Sequence, residues 1–159
     1  MQTRDPWEEK MESSKLTSLP VSELSHLIQN RLLSPVDLTE AFLERIEQTD
    51  SDLKLYVNVA REQARARALS IEKHLQEGYL TGPLQGIPYA AKDIFLTKKL
   101  QTTAGSLVLK DFIPEQDAAV VERLYQEDSI LLGKTNLHEF SFGATGENLN
   151  FGTTKNPWD

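Results

Sequence analysis

The chain has 159 residues, a formal net charge of −7 and no cysteine. That length suffices for one domain with a real core, and the missing cysteines exclude disulfides, thiolate nucleophiles and thiolate metal sites together. The acidic balance comes without a long basic run, which argues against a nucleic-acid groove, because phosphate binding needs clustered Lys and Arg. No run of about 18 apolar residues is present to cross a bilayer.

Residues 1–16 are polar and charged and read as a flexible N-terminus. The first ten carry no apolar core of the kind a signal peptide needs, so the expected address is cytoplasmic. A helix is expected from near Pro20, with Leu24, Leu27, Ile28 and Leu32 on one face and the proline in its first turn. The next has a clear start: Ser34 as cap, Pro35 at the first helical position, Asp37 three residues on, then Leu38, Ala41, Phe42 and Ile46 as its stripe. "LYVNVA", 55–60, reads as a short strand leading into a helix that carries Ala64, Ala68, Ile71 and Leu75 and stops near Gly78.

From Gly82 the texture changes to short β-rich runs between glycines and prolines. "IPYAA" is a strand, Asp117 is expected to cap a helix bearing Val120, Val121 and Leu124, and a strand from Ile130 to Leu132 is expected to end at Gly133. Two strands joined through one helix imply a parallel pair, hence an α/β sheet preceded by helices. The last stretch, "FSFGATGENLNFGTTKNPWD", has no clean periodicity and reads as a long irregular loop of the functional kind.

Several motifs fall short of the chemistry they suggest. "GKT" at 133–135 lacks the glycine a phosphate loop needs, since position 128 is Asp128, and reads as a strand end with a turn. "HEF" at 138–140 lacks the second histidine of a zinc site, because Phe142 stands in its place. His26 and His74 have no partner pattern, and Ser106, Ser129 and Ser141 lie outside any nucleophile turn, so all five read as structural.

Lys92 is different. In "GPLQGIPYAAKD" it alternates onto the face of Ala90, beside small residues. One reading is a strand-end lysine that snorkels outward or pairs with Asp93. The other is an amine held in a dry site, where desolvation disfavours the ammonium and leaves a general base able to activate a hydroxyl nucleophile.

The blocks "GPLQGIPYAAKDIF", "TTAGS", "DAAVVERL", "ILLGKTNLHEF" and "FGTTKNPWD", in that order and spacing, resemble the N-terminal part of the amidase signature family. The family includes amidases and the A subunit of the tRNA-dependent amidotransferases. The resemblance runs from about Leu16 to Asp159, which makes 17–159 the N-terminal portion of a single amidase domain. It implies a large mixed sheet flanked by helices, of which this chain holds part, and a Ser–cis-Ser–Lys triad that cleaves a carboxamide C–N bond.

On the resemblance Lys92 is the triad lysine. Phe142, Gly143, Ala144 and Thr145 correspond to a segment lining the acyl pocket, with ordinary loop packing as the plainer reading. "TTAGS" shapes the backbone near Lys92, and Asp93 either orients the lysine or pairs elsewhere. Both serines of the family lie beyond the "NPWD" block, so the 159 residues carry only the lysine and are expected to be inactive alone. The implied substrate is a small-molecule amide. No cofactor, no direct nucleic acid and no membrane are implied, and the expected partner is a complementary C-terminal half or another copy. The alternatives are the A subunit of a glutamyl/aspartyl-tRNA amidotransferase and a non-catalytic truncated product.

Overall fold

Ser34 sets the longest helix in place. In the computed structural model, which describes residues 12–158, its hydroxyl oxygen accepts the N–H groups of Val36 (3.0 Å) and Asp37 (3.2 Å), with Pro35 as first helical residue. These are the free N–H groups that a helix start leaves unpaired. The element order is α1 (Ser13–Leu16), α2 (Val21–Gln29), α3 (Pro35–Leu53), β1 (Tyr56–Val59), α4 (Arg61–Gln76), β2 (Pro88–Lys92), α5 (Ala119–Gln126) and β3 (Ile130–Thr135). A short 3-10 turn stands at Leu107–Leu109, and a kinked turn through left-handed Phe140 and Ser141 stands at Glu139–Ser141.

Lys54 ends α3 in the left-handed conformation, and the Asp50 carboxylate accepts Leu55 N–H (2.7 Å) and Tyr56 N–H (2.9 Å), which turns the chain into β1. Helix α4 lays Ala64, Ala68, Ile71 and Leu75 into the core shared with Ile28, Leu38 and Leu43. Ile130 and Leu132 of β3 close that core from the sheet side.

The sheet order is β1-β3-β2. Central β3 runs parallel to β2, as the crossover through α5 requires, and antiparallel to β1, so the sheet is mixed. It is the α/β arrangement expected, helices first and then part of a mixed sheet.

Three expectations are corrected. Helix α2 ends at Gln29 and Arg31 turns left-handed, so Leu32 leaves the apolar face and is 58% exposed. Gly133 does not end β3 but lies inside it. A Cβ there would stand 2.3 Å from Asn58 O, so the glycine lets β1 and β3 approach. Asp117 does not cap α5, whose N-cap is Ala118. Its carboxylate instead accepts Lys98 N–H at 2.6 Å.

Of the segment expected to be flexible, residues 1–11 lie outside the described range, while Ser13–Leu16 form α1 and Leu16 is buried. No helix among the described residues is long and apolar enough to cross a membrane.

Candidate active site

Strands β2 and β3 each end near a lysine, and the sheet register separates the two. Ala91 pairs with Lys134 and Lys92 with Thr135. Cross-strand partners share a face and successive residues alternate. Lys134 therefore joins Ala91 on a buried face, and Lys92 joins Ala90 on the exposed one. The small side chain of Ala91 leaves room for Lys134, not Lys92.

The dry neighbourhood expected around Lys92 is thus not its own. Its side chain is exposed, and it takes part in no ion pair among the described residues. Lys134 is fully buried. Its Nζ donates to Phe95 O (2.8 Å) and Thr102 Oγ1 (2.7 Å) and stands 3.1 Å from Asp93 Oδ1. Burial pulls the Lys134 pKa below the ordinary lysine range, against the opposing pull of the Asp93 charge.

Asp93 also pairs away from Lys92. Its Oδ2 accepts Thr103 N–H (3.0 Å) and Thr103 Oγ1–H (2.5 Å). Its backbone N–H donates to Thr135 O and its carbonyl accepts Ala104 N–H, both at 2.9 Å. The "TTAGS" turn is held by this aspartate. Ala104 and Gly105 are both left-handed there, and at Gly105 a Cβ would stand 2.7 Å from the buried Asn148 Nδ2. That amide donates to Gly105 O (2.9 Å) and Leu137 O (2.8 Å) and ties the irregular C-terminal stretch to the turn.

The residues leading into the loop Phe142–Thr145 are tied to the same turn. Ala104 O accepts Phe140 N–H at 2.7 Å, so two backbone bonds lead from Asp93 through Ala104 to the loop. Phe140 and Ser141 are consecutive left-handed residues without being glycine, a strain of ~1–3 kcal/mol each that tends to collect at functional sites. All four loop residues are exposed, Phe142 at 94%. A separate cleft of about 460 Å³ beside α5 includes Arg67, Tyr89 and Leu131 in its lining but neither Lys92 nor the loop.

Lys134 escaped the sequence reading. The signal was the alternation Ile130, Leu132, Lys134, which carries the buried face of β3 through "GKT". Taking Gly133 as the strand's end hid it.

Of the histidines and serines singled out in the sequence, four keep local roles, while the buried Ser141 Oγ finds no hydrogen-bond partner among the described residues. Ser106 accepts Val108 N–H, Ser129 donates to Leu124 O, His26 O accepts the Asn30 side-chain amide, and His74 meets Tyr79 edge-on.

This architecture is that of the amidase signature enzymes. The peptide amidase of Stenotrophomonas maltophilia superposes with a TM-score of 0.83 at 32% identity, over 89% of this chain and 30% of that one. A bacterial aryl acylamidase gives 0.84 at 30% identity, over 89% and 30%. Fatty acid amide hydrolase gives 0.88 at 23% identity, over 94% and 26%, a likeness of fold.

The chain belongs to the amidase family, whose model matches residues 37–159. Among curated relatives, it is 42% identical over 146 residues to the A subunit of the glutamyl-tRNA(Gln) amidotransferase of Streptomyces coelicolor, covering 92% of this chain and 29% of that protein. The corresponding protein of Geobacter sulfurreducens is 42% identical over 145 residues, covering 91% and 30%. The chain therefore spans about 30% of the length of these relatives.

Proposed function

We propose that the chain supplies the lysine side of an amide-hydrolysing site of Ser–cis-Ser–Lys type, with Lys92 as the base. The placement of Lys92 carries this reading. It is the last residue of β2, at the carboxyl end of a parallel strand pair, where open α/β sheets receive their ligands. Its side chain is exposed and makes no ion pair among the described residues, while Asp93, the next residue, is anchored through both its backbone and its carboxylate. A base needs that combination of accessible lone pair and rigid support.

The Lys92 amine takes a proton from a bridging serine hydroxyl, which takes one from the nucleophilic serine. That oxygen attacks the carboxamide carbon, and backbone N–H groups hold the oxyanion. The C–N bond breaks as the proton returns through the relay to the leaving amine. Water then adds to the acyl-enzyme and releases the carboxylate. Phe142, Gly143, Ala144 and Thr145 line the acyl side.

Within residues 1–159 the resemblance matches no residue to either serine, so these residues alone turn over no carboxamide. The substrate is a small-molecule amide, with no cofactor, no direct contact to nucleic acid or membrane, and a cytoplasmic address. The serines that complete the site belong to the part of an amidase beyond the matched 30%, in the same polypeptide or in a complementary one. The names of the curated relatives favour a second reading, the A subunit of an amidotransferase that draws ammonia from glutamine.

The test fuses the full 159-residue chain in place of the matching part of the Stenotrophomonas maltophilia peptide amidase and assays a peptide amide. Turnover is expected, with a loss of about 10⁴-fold or more in Lys92→Ala. Turnover that survives Lys92→Ala overturns the reading. Ammonia release from glutamine alone, in the same fusion made with the Streptomyces coelicolor protein, decides for the second.

A further inference from the structure

We infer that the buried Asp93–Lys134 pair positions Lys92, with Lys134 acting on the base through the backbone of its neighbour. The inference rests on the reading of Lys92 as the base.

Lys134 is not an alternative base. Its side chain is fully buried, and its ammonium donates to Phe95 O and Thr102 Oγ1 and pairs with the Asp93 carboxylate at 3.1 Å. No face remains for a substrate or a serine. Its three partners lie in the two segments that enclose the end of β2: residues 93 and 95 just after Lys92, and residue 102 in the adjoining turn.

Lys92 itself is inside this frame. Its carbonyl accepts Phe95 N–H at 3.0 Å, and Phe95 O is held by Lys134. Asp93 leaves the strand with its N–H, its carbonyl and both carboxylate oxygens engaged on β3, Ala104, Thr103 and Lys134. A strand end would otherwise fray, and the direction of a long exposed side chain follows the backbone beneath it.

Stability alone does not call for such a pair. A buried ion pair is often no better than apolar residues of the same size. What charges with several directional bonds add is a single geometry. Here that geometry is fixed one residue from Lys92, and through Ala104 it extends to Phe140 at the entrance to the 142–145 loop.

The experiment uses the peptide-amidase fusion carrying the full chain, with Lys92→Ala as the control for the base. Lys134→Met leaves Asp93 as a lone buried charge. The companion variant Asp93→Asn/Lys134→Met removes both charges and keeps the volume. Thr102→Val, milder still, deletes one bond to Lys134.

Expected for the double variant are cooperative unfolding, a KM within about twofold, and a kcat lower by on the order of 10²-fold, the effect of an ångström-scale misplacement. Thr102→Val shifts kcat the same way by less. A folded double variant with the kcat of the parent overturns the inference and leaves Lys92 as base. A kcat that falls only in proportion to lost folded protein does so too. Activity that survives Lys92→Ala instead removes the reading beneath it.

Discussion

Lys134 and Asp93 meet at 3.1 Å with both side chains wholly buried, one residue from a lysine that is exposed. The register explains why two neighbouring cations take opposite environments: Ala91 faces Lys134 across the ladder, and Lys92 faces Thr135. The two lysines should therefore respond oppositely to substitution.

In the 159-residue chain, Lys92→Ala is expected to change unfolding free energy by less than about 0.5 kcal/mol, the usual range for a surface site. Lys134→Met leaves the Asp93 carboxylate buried without its counter-charge and is expected to lose ~3–5 kcal/mol. Adding Asp93→Asn should recover most of that loss. Urea unfolding of the three variants checks the ordering, and equal losses for Lys92→Ala and Lys134→Met would refute the assignment of which lysine is structural.

Gly133 separates a packing requirement from a turn requirement. An alanine methyl there would meet Asn58 O at 2.3 Å and Val59 Cα at 3.0 Å, both backbone atoms that cannot rotate away. Gly133→Ala should push β1 from β3 at a cost of about 1–3 kcal/mol or more. Faster amide exchange at Ala60, whose N–H donates to Leu132 O at 2.8 Å, would locate the damage. Unchanged exchange there would show that the strands absorb the methyl.

The helices were legible because their signals are local. The Ser34–Pro35 start and the alanine stripe of α4 are settled within a few residues, and the structure keeps both. The parallel pair followed from a single crossover. What did not follow needed contacts distant in the chain. The mixed sheet was implied by the family resemblance, but not that β1 would be the strand pairing antiparallel with β3. Gly133 is explained only by Asn58, and Asp117 is drawn from its helix to Lys98. At the site, reading Lys92 as exceptional was based on its small neighbours, but the space beside Ala91 is filled by a lysine from the neighbouring strand β3.

Ser34 offers a check on local stability. Its oxygen accepts two N–H groups at the start of α3, and its hydroxyl donates to Glu72 on α4. Ser34→Ala should lose about 1–2 kcal/mol, and Ser34→Asn, which retains a capping oxygen, should lose less. Equal losses would mean that the tie to Glu72, rather than the cap, is what the serine contributes.

Tyr89 predicts the shape of the alkaline limb. Burial, with the Asp117 charge second, pushes its phenol from the ordinary 10.0 up to about 12. Between those values the unfolded chain releases the proton while the folded chain keeps it, so the folded state holds more protons and stability falls as pH rises. The contribution is fully present below pH 10 and is lost toward pH 12. Tyr56, also raised by burial, adds a loss of the same sign. Lys134, lowered by burial, works the other way, its contribution growing as pH climbs toward the ordinary 10.5. Tyr89→Phe removes one falling contribution and leaves the other groups in place. Urea midpoints followed across this alkaline window should decline less steeply for the variant than for the parent. Parallel declines would mean that Tyr89 ionises as readily in the folded chain as in the unfolded one.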